Sequence, residues 1–121
     1  MSGNINFNGW LNDDGSENYK CRAWVNFDGT GTVAILGSGN VSSITDHGTG
    51  DYTVNLTTAM VDVNYTTLAS SSTYSGAAQN YAFGPVNNNV YPRTITTVRL
   101  RCESSSGAAA DLPNFEVAIF R

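Results

Sequence analysis

The sequence predicts an all-β protein, an antiparallel β-sandwich or jelly-roll-like barrel of about seven or eight strands. Apolar and polar residues alternate over several short segments, most regularly in Asp51-Tyr52-Thr53-Val54-Asn55-Leu56. Gly and Asp separate these segments at the spacing of hairpin turns. No segment keeps a 3.6-residue apolar period for three turns, as an amphipathic helix would.

The chain divides into an N-terminal docking arm, residues 1–20, and a β-sandwich domain, residues 21–121. The arm is rich in Asn and contains Asp13-Asp14-Gly15, a composition typical of turns. Its apolar anchors are Ile5, Phe7, Trp10 and Leu11. Because so few apolar residues cannot form a core, we expect the arm to cover its own domain or to dock on a neighbouring subunit.

Five strands are predicted in the first half of the domain. In the first, Ala23, Val25 and Phe27 alternate with polar residues, but Trp24 lies in the opposite register, so both faces of this strand are expected to be covered. The sequence Asp28-Gly29-Thr30-Gly31 predicts a tight turn. The other four strands are predicted at residues 32–36, 41–45, 51–56 and 61–65, with a Gly-rich loop that contains His47 at residues 46–50.

Residues 70–92 are the least regular part of the chain. Ser70-Ser71-Ser72-Thr73 and Asn87-Asn88-Asn89 have the composition of loops, yet aromatic residues lie among them. Aromatic side chains in an exposed loop usually pack against another part of the chain or against a partner. A subunit interface, a cell-surface ligand such as a sugar, and packing within the chain are all open for this segment, and its aromatic candidates are Tyr74, Tyr81, Phe83 and Tyr91.

Strands are predicted again at residues 93–103 and 115–120. In the first of these, Ile95 and Val98 differ in parity, which indicates a β-bulge near Thr96 or Thr97. Cys102 follows Val98 at strand spacing and is expected in the core. Only one other cysteine, Cys21, is present, and two distant cysteines in a chain without a secretory signal are expected to stay reduced.

Composition argues against several functional classes. Charged residues make up 13% of the chain, the net charge is −4 and Lys20 is the only lysine, so strong binding to nucleic acid is not expected. Arg99 and Arg101 share one strand face, where a solvated or interface role is the simpler interpretation. No apolar run approaches the roughly 18 residues of a transmembrane helix, and the N-terminal residues do not form a secretory signal. We therefore expect synthesis and folding in a cytoplasm.

No residue pattern predicts catalysis, a cofactor or a metal. His47 is the only histidine, and it has no predicted nucleophile or carboxylate partner in a cleft. The oxygen-rich segment Asn12-Asp13-Asp14-Gly15-Ser16-Glu17 does not match the spacing of a calcium loop, so an Asx-turn is expected there. The sequence does not exclude a carboxylate pair in a groove, and a small polysaccharide depolymerase stays open on that ground.

Several segments between Cys21 and Tyr65 resemble a β-module of tail fibres and small stand-alone virion proteins of tailed bacteriophages. The matching segments are Arg22-Ala23-Trp24-Val25-Asn26-Phe27-Asp28-Gly29-Thr30-Gly31-Thr32-Val33, Gly39-Asn40-Val41-Ser42-Ser43-Ile44-Thr45-Asp46, Gly48-Thr49-Gly50-Asp51-Tyr52-Thr53-Val54-Asn55 and Thr57-Thr58-Ala59-Met60. The family pattern usually has Pro after the Met, where this chain has Val61. The resemblance covers about a third of the chain and fades after Tyr65.

The resemblance implies a non-enzymatic structural protein of the virion, assembled in the host bacterial cytoplasm as a symmetric oligomer, most often a trimer. It favours a tail-fibre or spike module that contributes to host-surface attachment. A capsid decoration protein is the first alternative, favoured by the short chain, and a carbohydrate-binding module or small depolymerase is the second. The implied partners are further copies of the chain, other tail or capsid proteins, and a host surface glycan or protein. From their aromatic character on polar segments, Trp10 or Trp24 is predicted at a subunit contact.

Overall fold

Eight β-strands form the regular structure of the residues that the structure describes. The computed structural model describes residues 12–16, 19–72, 81–104 and 106–121. Among these residues no helix is long and apolar enough to cross a membrane. The strands are β1 (Cys21–Asp28), β2 (Ala34–Gly39), β3 (Val41–Gly48), β4 (Asp51–Leu56), β5 (Thr66–Ser71), β6 (Tyr81–Pro85), β7 (Thr97–Ser104) and β8 (Phe115–Phe120).

The strands form two antiparallel four-stranded sheets. The first sheet has the order β2-β1-β8-β5, and the second has the order β3-β4-β7-β6. Asn40 alone separates β2 from β3, where the chain passes from the first sheet to the second. Its φ is 57°, a left-handed conformation that Asn tolerates better than most residues. The Asn40 side chain donates to the carbonyls of Arg22 and Thr58 and accepts the Thr58 N–H, which fixes this crossing.

The core lies between the two sheets. Alternate residues of β1, β4, β7 and β8 point inward and are buried, as the period-2 pattern predicts. Phe27 and Phe115 of the first sheet contact Tyr52 and Phe83 of the second, with ring centroids 4.5–6.3 Å apart. Such aromatic pairs add about 0.5–1.5 kcal/mol each beyond the burial of their area. The all-β, two-sheet prediction is confirmed, while the jelly-roll-like connectivity stays a prediction.

The strand predicted across residues 61–65 is wrong. These residues form a bend, in which Val61 and Val63 are exposed and only Tyr65 is buried. Asp62 Oδ1 accepts the Asn64 N–H, and the Asp62 carboxylate also binds the Arg121 guanidinium. The strand lies instead at β5, whose small polar residues suit an edge strand paired on one side with β8.

The bulge predicted near Thr96 or Thr97 is also wrong. Strand β7 begins at Thr97 and pairs with β4 without a shift of register. The change of parity comes from a turn, because the Thr94 hydroxyl accepts the N–H groups of Thr96 and Thr97 at 3.2 and 2.9 Å. Ile95 lies in this turn and is exposed.

Smaller differences concern the ends of strands and the cysteines. Strand β2 begins at Ala34, two residues later than predicted, and β3 extends to Gly48, so that His47 lies in a strand and not in a loop. Cys102 is buried in the core as predicted, Cys21 is exposed, and both are free thiols. The division at residue 20 stays a prediction, although β1 begins directly after it.

Candidate interaction surfaces

The six aromatic candidates lie in different environments. Trp10 and Tyr74 fall outside the described residues, and Tyr81 begins β6 opposite Ser104. Phe83 is a core residue, because its β6 register points it at Phe115, so it offers little surface to a partner. Trp24 and Tyr91 are exposed, on opposite sides of the sandwich. Each belongs to a distinct surface.

The first surface is an apolar row across the outer side of the first sheet. Trp24 of β1 pairs with Ala118 of β8, which in turn pairs with Leu68 of β5. Phe120 lies two residues along β8 on the same side. Trp24 is 44% exposed, Leu68 58% and Phe120 38%. We call these four residues the tryptophan face, and a groove of about 320 Å³ runs beside Trp24, Leu68 and Ala118.

Two glycines of β2 explain how the indole is placed. A Cβ atom on Gly39 would lie 2.8 Å from Trp24 Cδ1, and one on Gly37 would lie 3.4 Å from the six-membered ring. The indole therefore lies flat over the backbone of β2, in space that a side chain would otherwise occupy. This packing holds one face of the Trp24 indole against its own sheet and leaves the rest of the side chain partly exposed.

A polar row borders the tryptophan face. Asn26, Glu116 and Ser70 are paired across β1, β8 and β5, one step along from Trp24, Ala118 and Leu68. The Ser70 hydroxyl donates to Glu116 Oε2 at 3.3 Å. An apolar centre with a polar rim is the usual composition of a protein interface.

The second surface lies across the outer side of the second sheet. A groove of about 250 Å³ is lined by His47, Thr53, Val90, Tyr91, Pro92, Thr97 and Arg99. We call these seven residues the tyrosine groove. Strands β3, β4 and β7 supply the floor, and the connection between β6 and β7 supplies Val90, Tyr91 and Pro92.

Asparagines in the β6–β7 connection place Tyr91 over the sheet. The Asn87 carbonyl accepts the N–H groups of Val90 and Tyr91 at 3.1 and 3.0 Å. Asn87 Oδ1 accepts the Asn89 N–H, and Asn88 Oδ1 accepts the Arg93 N–H. The asparagine run therefore forms a hydrogen-bonded turn, in keeping with the ability of Asn side chains to bond to nearby backbone.

Arg99 connects the groove to the sheet below. Its guanidinium makes a two-pronged bond to Asp51, with Nε and Nη2 donating to the two carboxylate oxygens at 2.9 and 2.8 Å. The Arg99 guanidinium carbon lies 3.9 Å from the centre of the Tyr91 ring, which is a cation–π contact. The hydrogen bonds from Arg99 hold the pKa of Asp51 below its ordinary value, so the pair is ionised at neutral pH.

His47 is paired with a threonine hydroxyl. Its Nε2 lies 2.7 Å from Thr53 Oγ1, on the neighbouring strand. Within the described ranges, no three His, Cys, Asp or Glu side chains come together as a metal site would require. The Asx-turn expected in the arm is present, because Asp14 Oδ1 accepts the Ser16 N–H.

Sequence reasoning found Tyr91 and Trp24 but not their surroundings. The pairing of Arg99 with Asp51 and of His47 with Thr53 depends on strand register, and neither pair carries a local motif. The one available signal was that Arg99 lies on an outward-facing strand position. Comparison of the chain with known protein families, with curated proteins and with solved structures finds no match.

Proposed function

We propose that the chain is a non-enzymatic structural module of a tailed-phage virion, associated with a tail fibre or spike, that assembles with copies of itself and contributes to host-surface attachment. The observation that carries self-assembly is the tryptophan face, a row of neighbouring exposed apolar side chains bordered by a polar row. The assignment to a virion rests on the resemblance between residues 21 and 65 and phage β-modules.

The tryptophan face has the energetic character of an association surface. Trp24 exposes 44% of its area, and covering roughly 100 Å² of indole is worth about 2–3 kcal/mol. Leu68 and Phe120 extend the same apolar surface. Low overall charge favours this use, because a charge buried in a contact needs a partner. The proposed assembly is a homotrimer, the state that the resemblance implies.

The mass of the protein in solution tests self-assembly. We expect an oligomer by native mass spectrometry, and we expect Leu68→Asp to shift it to monomer, because the new carboxylate would be buried without a partner. Val61→Asp is the matched control, since Val61 is equally exposed, at 58%, but lies in the bend before β5. Trp24→Ala is a weaker second variant because it also uncovers Gly37 and Gly39.

Immunogold labelling of intact virions tests the location. Label on the tail or its fibres supports the proposal, label over the head assigns the chain to capsid decoration, and unlabelled virions reject both. Release of reducing ends from host polysaccharide by the purified protein would contradict a non-enzymatic role.

A further inference from the structure

We propose that the tyrosine groove binds a neutral carbohydrate unit of the host surface. This inference rests on the proposed attachment function and names the class of ligand. Carbohydrates are recognised by an aromatic ring that packs on the C–H face of a sugar and by fixed polar groups that bond to its hydroxyls. The groove provides both kinds of group within one small space on the outer side of the second sheet.

Tyr91 supplies the aromatic platform. One side of its ring is covered by the Arg99 guanidinium, yet 47% of the residue remains exposed. Pro92 and Val90 extend the apolar lining around the ring. An aromatic side chain that is fixed on one side and open on the other offers a stacking surface with little ordering cost.

His47, Thr53 and Arg99 supply the polar groups. Two of the five N–H donors of Arg99 bond to Asp51, and Nη1 has no hydrogen-bond partner among the described residues. His47 bonds to Thr53 through Nε2, which leaves Nδ1 without a partner in the same part of the chain. His47 is exposed, and Thr53 and Arg99 are partly exposed. Their donors and acceptors lie beside Tyr91 in the groove and match the mixed donor and acceptor character of sugar hydroxyls.

The charge balance of the groove favours a neutral sugar over an acidic one. The positive charge of Arg99 is matched by the carboxylate of Asp51, 2.8 Å away. Two residues further along the same strand, the positive charge of Arg101 is matched by the Glu103 carboxylate, with Nε and Oε1 2.6 Å apart. Because Arg99 is the one arginine or lysine among the seven residues of the groove and already faces a carboxylate, hydroxyl and amide groups complement the groove better than a ligand carboxylate does.

The groove is held in shape before any ligand arrives. The Asn87 turn fixes its upper side, and the Thr94 turn fixes the entry to β7. The Arg93 guanidinium donates to the Tyr65 carbonyl at 2.6 Å and lies 4.8 Å from the centre of the Tyr65 ring, which fastens the far end of the connection. A site of this kind binds without paying for loop ordering.

Saturation-transfer NMR and titration calorimetry with the full chain test the inference. The compounds are methyl glucoside, methyl galactoside, methyl mannoside and N-acetylglucosamine, with glucuronate and N-acetylneuraminate as acidic comparisons. We expect at least one neutral sugar to bind with Kd of roughly 1–10 mM, as a weak single-sugar contact should. Tyr91→Ala should weaken this binding about tenfold, the loss of one good stacking contact.

Two further variants keep the test decisive. Thr53→Val preserves shape and strand but removes the hydroxyl that bonds to His47, and it should weaken binding severalfold. Tyr19→Ala is the matched control, because Tyr19 is a more exposed tyrosine, at 77%, outside the groove. It should leave binding unchanged.

The inference is overturned if no neutral sugar binds up to about 50 mM, if only the acidic sugars bind, or if Tyr91→Ala and Thr53→Val both bind as the parent does. Binding to a host protein in the absence of sugar would also overturn it. The virion labelling and mass measurements do not involve the groove. If the antibody labels phage tails but the protein binds no sugar, this inference alone is overturned. If the protein binds sugar but the antibody labels no virion, the virion assignment alone is overturned.

Discussion

Replacement of Gly50 by Ala should destabilise the fold far more than the same change at Gly31. Both glycines have a left-handed backbone, with φ of 65° and 61°. They differ in their surroundings. A Cβ on Gly50 would lie 2.6 Å from the Cys102 carbonyl oxygen and 2.9 Å from the Ala110 amide nitrogen, whereas one on Gly31 would have no neighbour within 4 Å.

The expected magnitudes follow from these contacts. The left-handed conformation costs a non-glycine residue about 1–2 kcal/mol at either position. Reduced freedom of the unfolded chain returns about 0.4–1 kcal/mol. At Gly50 the obstructing atoms are backbone, so overpacking adds about 1–3 kcal/mol. In the Gly50→Ala variant, the hydrogen bonds from Cys102 N–H to the residue 50 carbonyl (2.7 Å in the parent) and from the residue 50 N–H to Asp111 (2.8 Å in the parent) would be strained as well.

We therefore expect losses in the free energy of unfolding of about 1 kcal/mol for Gly31→Ala and about 3–5 kcal/mol for Gly50→Ala. Urea unfolding followed by tryptophan fluorescence and circular dichroism, at one fixed protein concentration, measures both. If the free energies of unfolding of the two variants agree to within about 0.5 kcal/mol, which is the usual scatter when mutational free energies are compared, the packing argument at Gly50 is refuted.

Two further predictions concern ionisable groups. Since Arg99 lowers the pKa of Asp51, its carboxylate stabilises the fold above the unfolded-chain pKa of about 3.9, and this contribution is lost as the pH falls through the lower folded-state pKa. Asp51→Asn should thus be less stable than the parent at pH 7 but lose less stability on acidification, and urea midpoints that fall in parallel with those of the parent would contradict this. Burial raises the pKa of the Cys102 thiol to about 11, whereas Cys21 is exposed, so Ellman's reagent should react quickly with one thiol in the native protein and with the second only in urea. Two fast thiols in the native protein, or a fast reaction that survives in Cys21→Ser, would disprove the assignment.

The sequence predicted those strands whose buried residues alternate strictly with polar ones. In β4 and β8 the buried positions are large and apolar, so the pattern leaves one choice of inward face. It failed for Val61, Val63 and Tyr65, where a side-chain bond from Asp62 to the Asn64 N–H closes a bend. It also missed β5, because small polar residues at a sheet edge carry no periodic signal.

The candidate surfaces were predictable only in part. Tyr91 was predicted as a candidate because it is an aromatic residue within a segment of loop-like composition. Trp24 was predicted because it is an aromatic residue on a polar strand face. Their neighbours were not predictable, since Asp51 and Arg99 are 48 residues apart and meet through the pairing of β4 with β7. The role of Gly39 beneath the indole likewise depends on the pairing of β1 with β2.

The two surfaces lie on outward sides of opposite sheets, and this has a consequence for avidity. In an oligomer joined through the tryptophan face, every copy turns its tyrosine groove away from the contact. Where two of these grooves can reach one layer of surface glycan together, the linked sites would gain about 10²- to 10⁴-fold in overall affinity without any new contact. Millimolar contacts that release easily one at a time would together hold a particle at the cell surface.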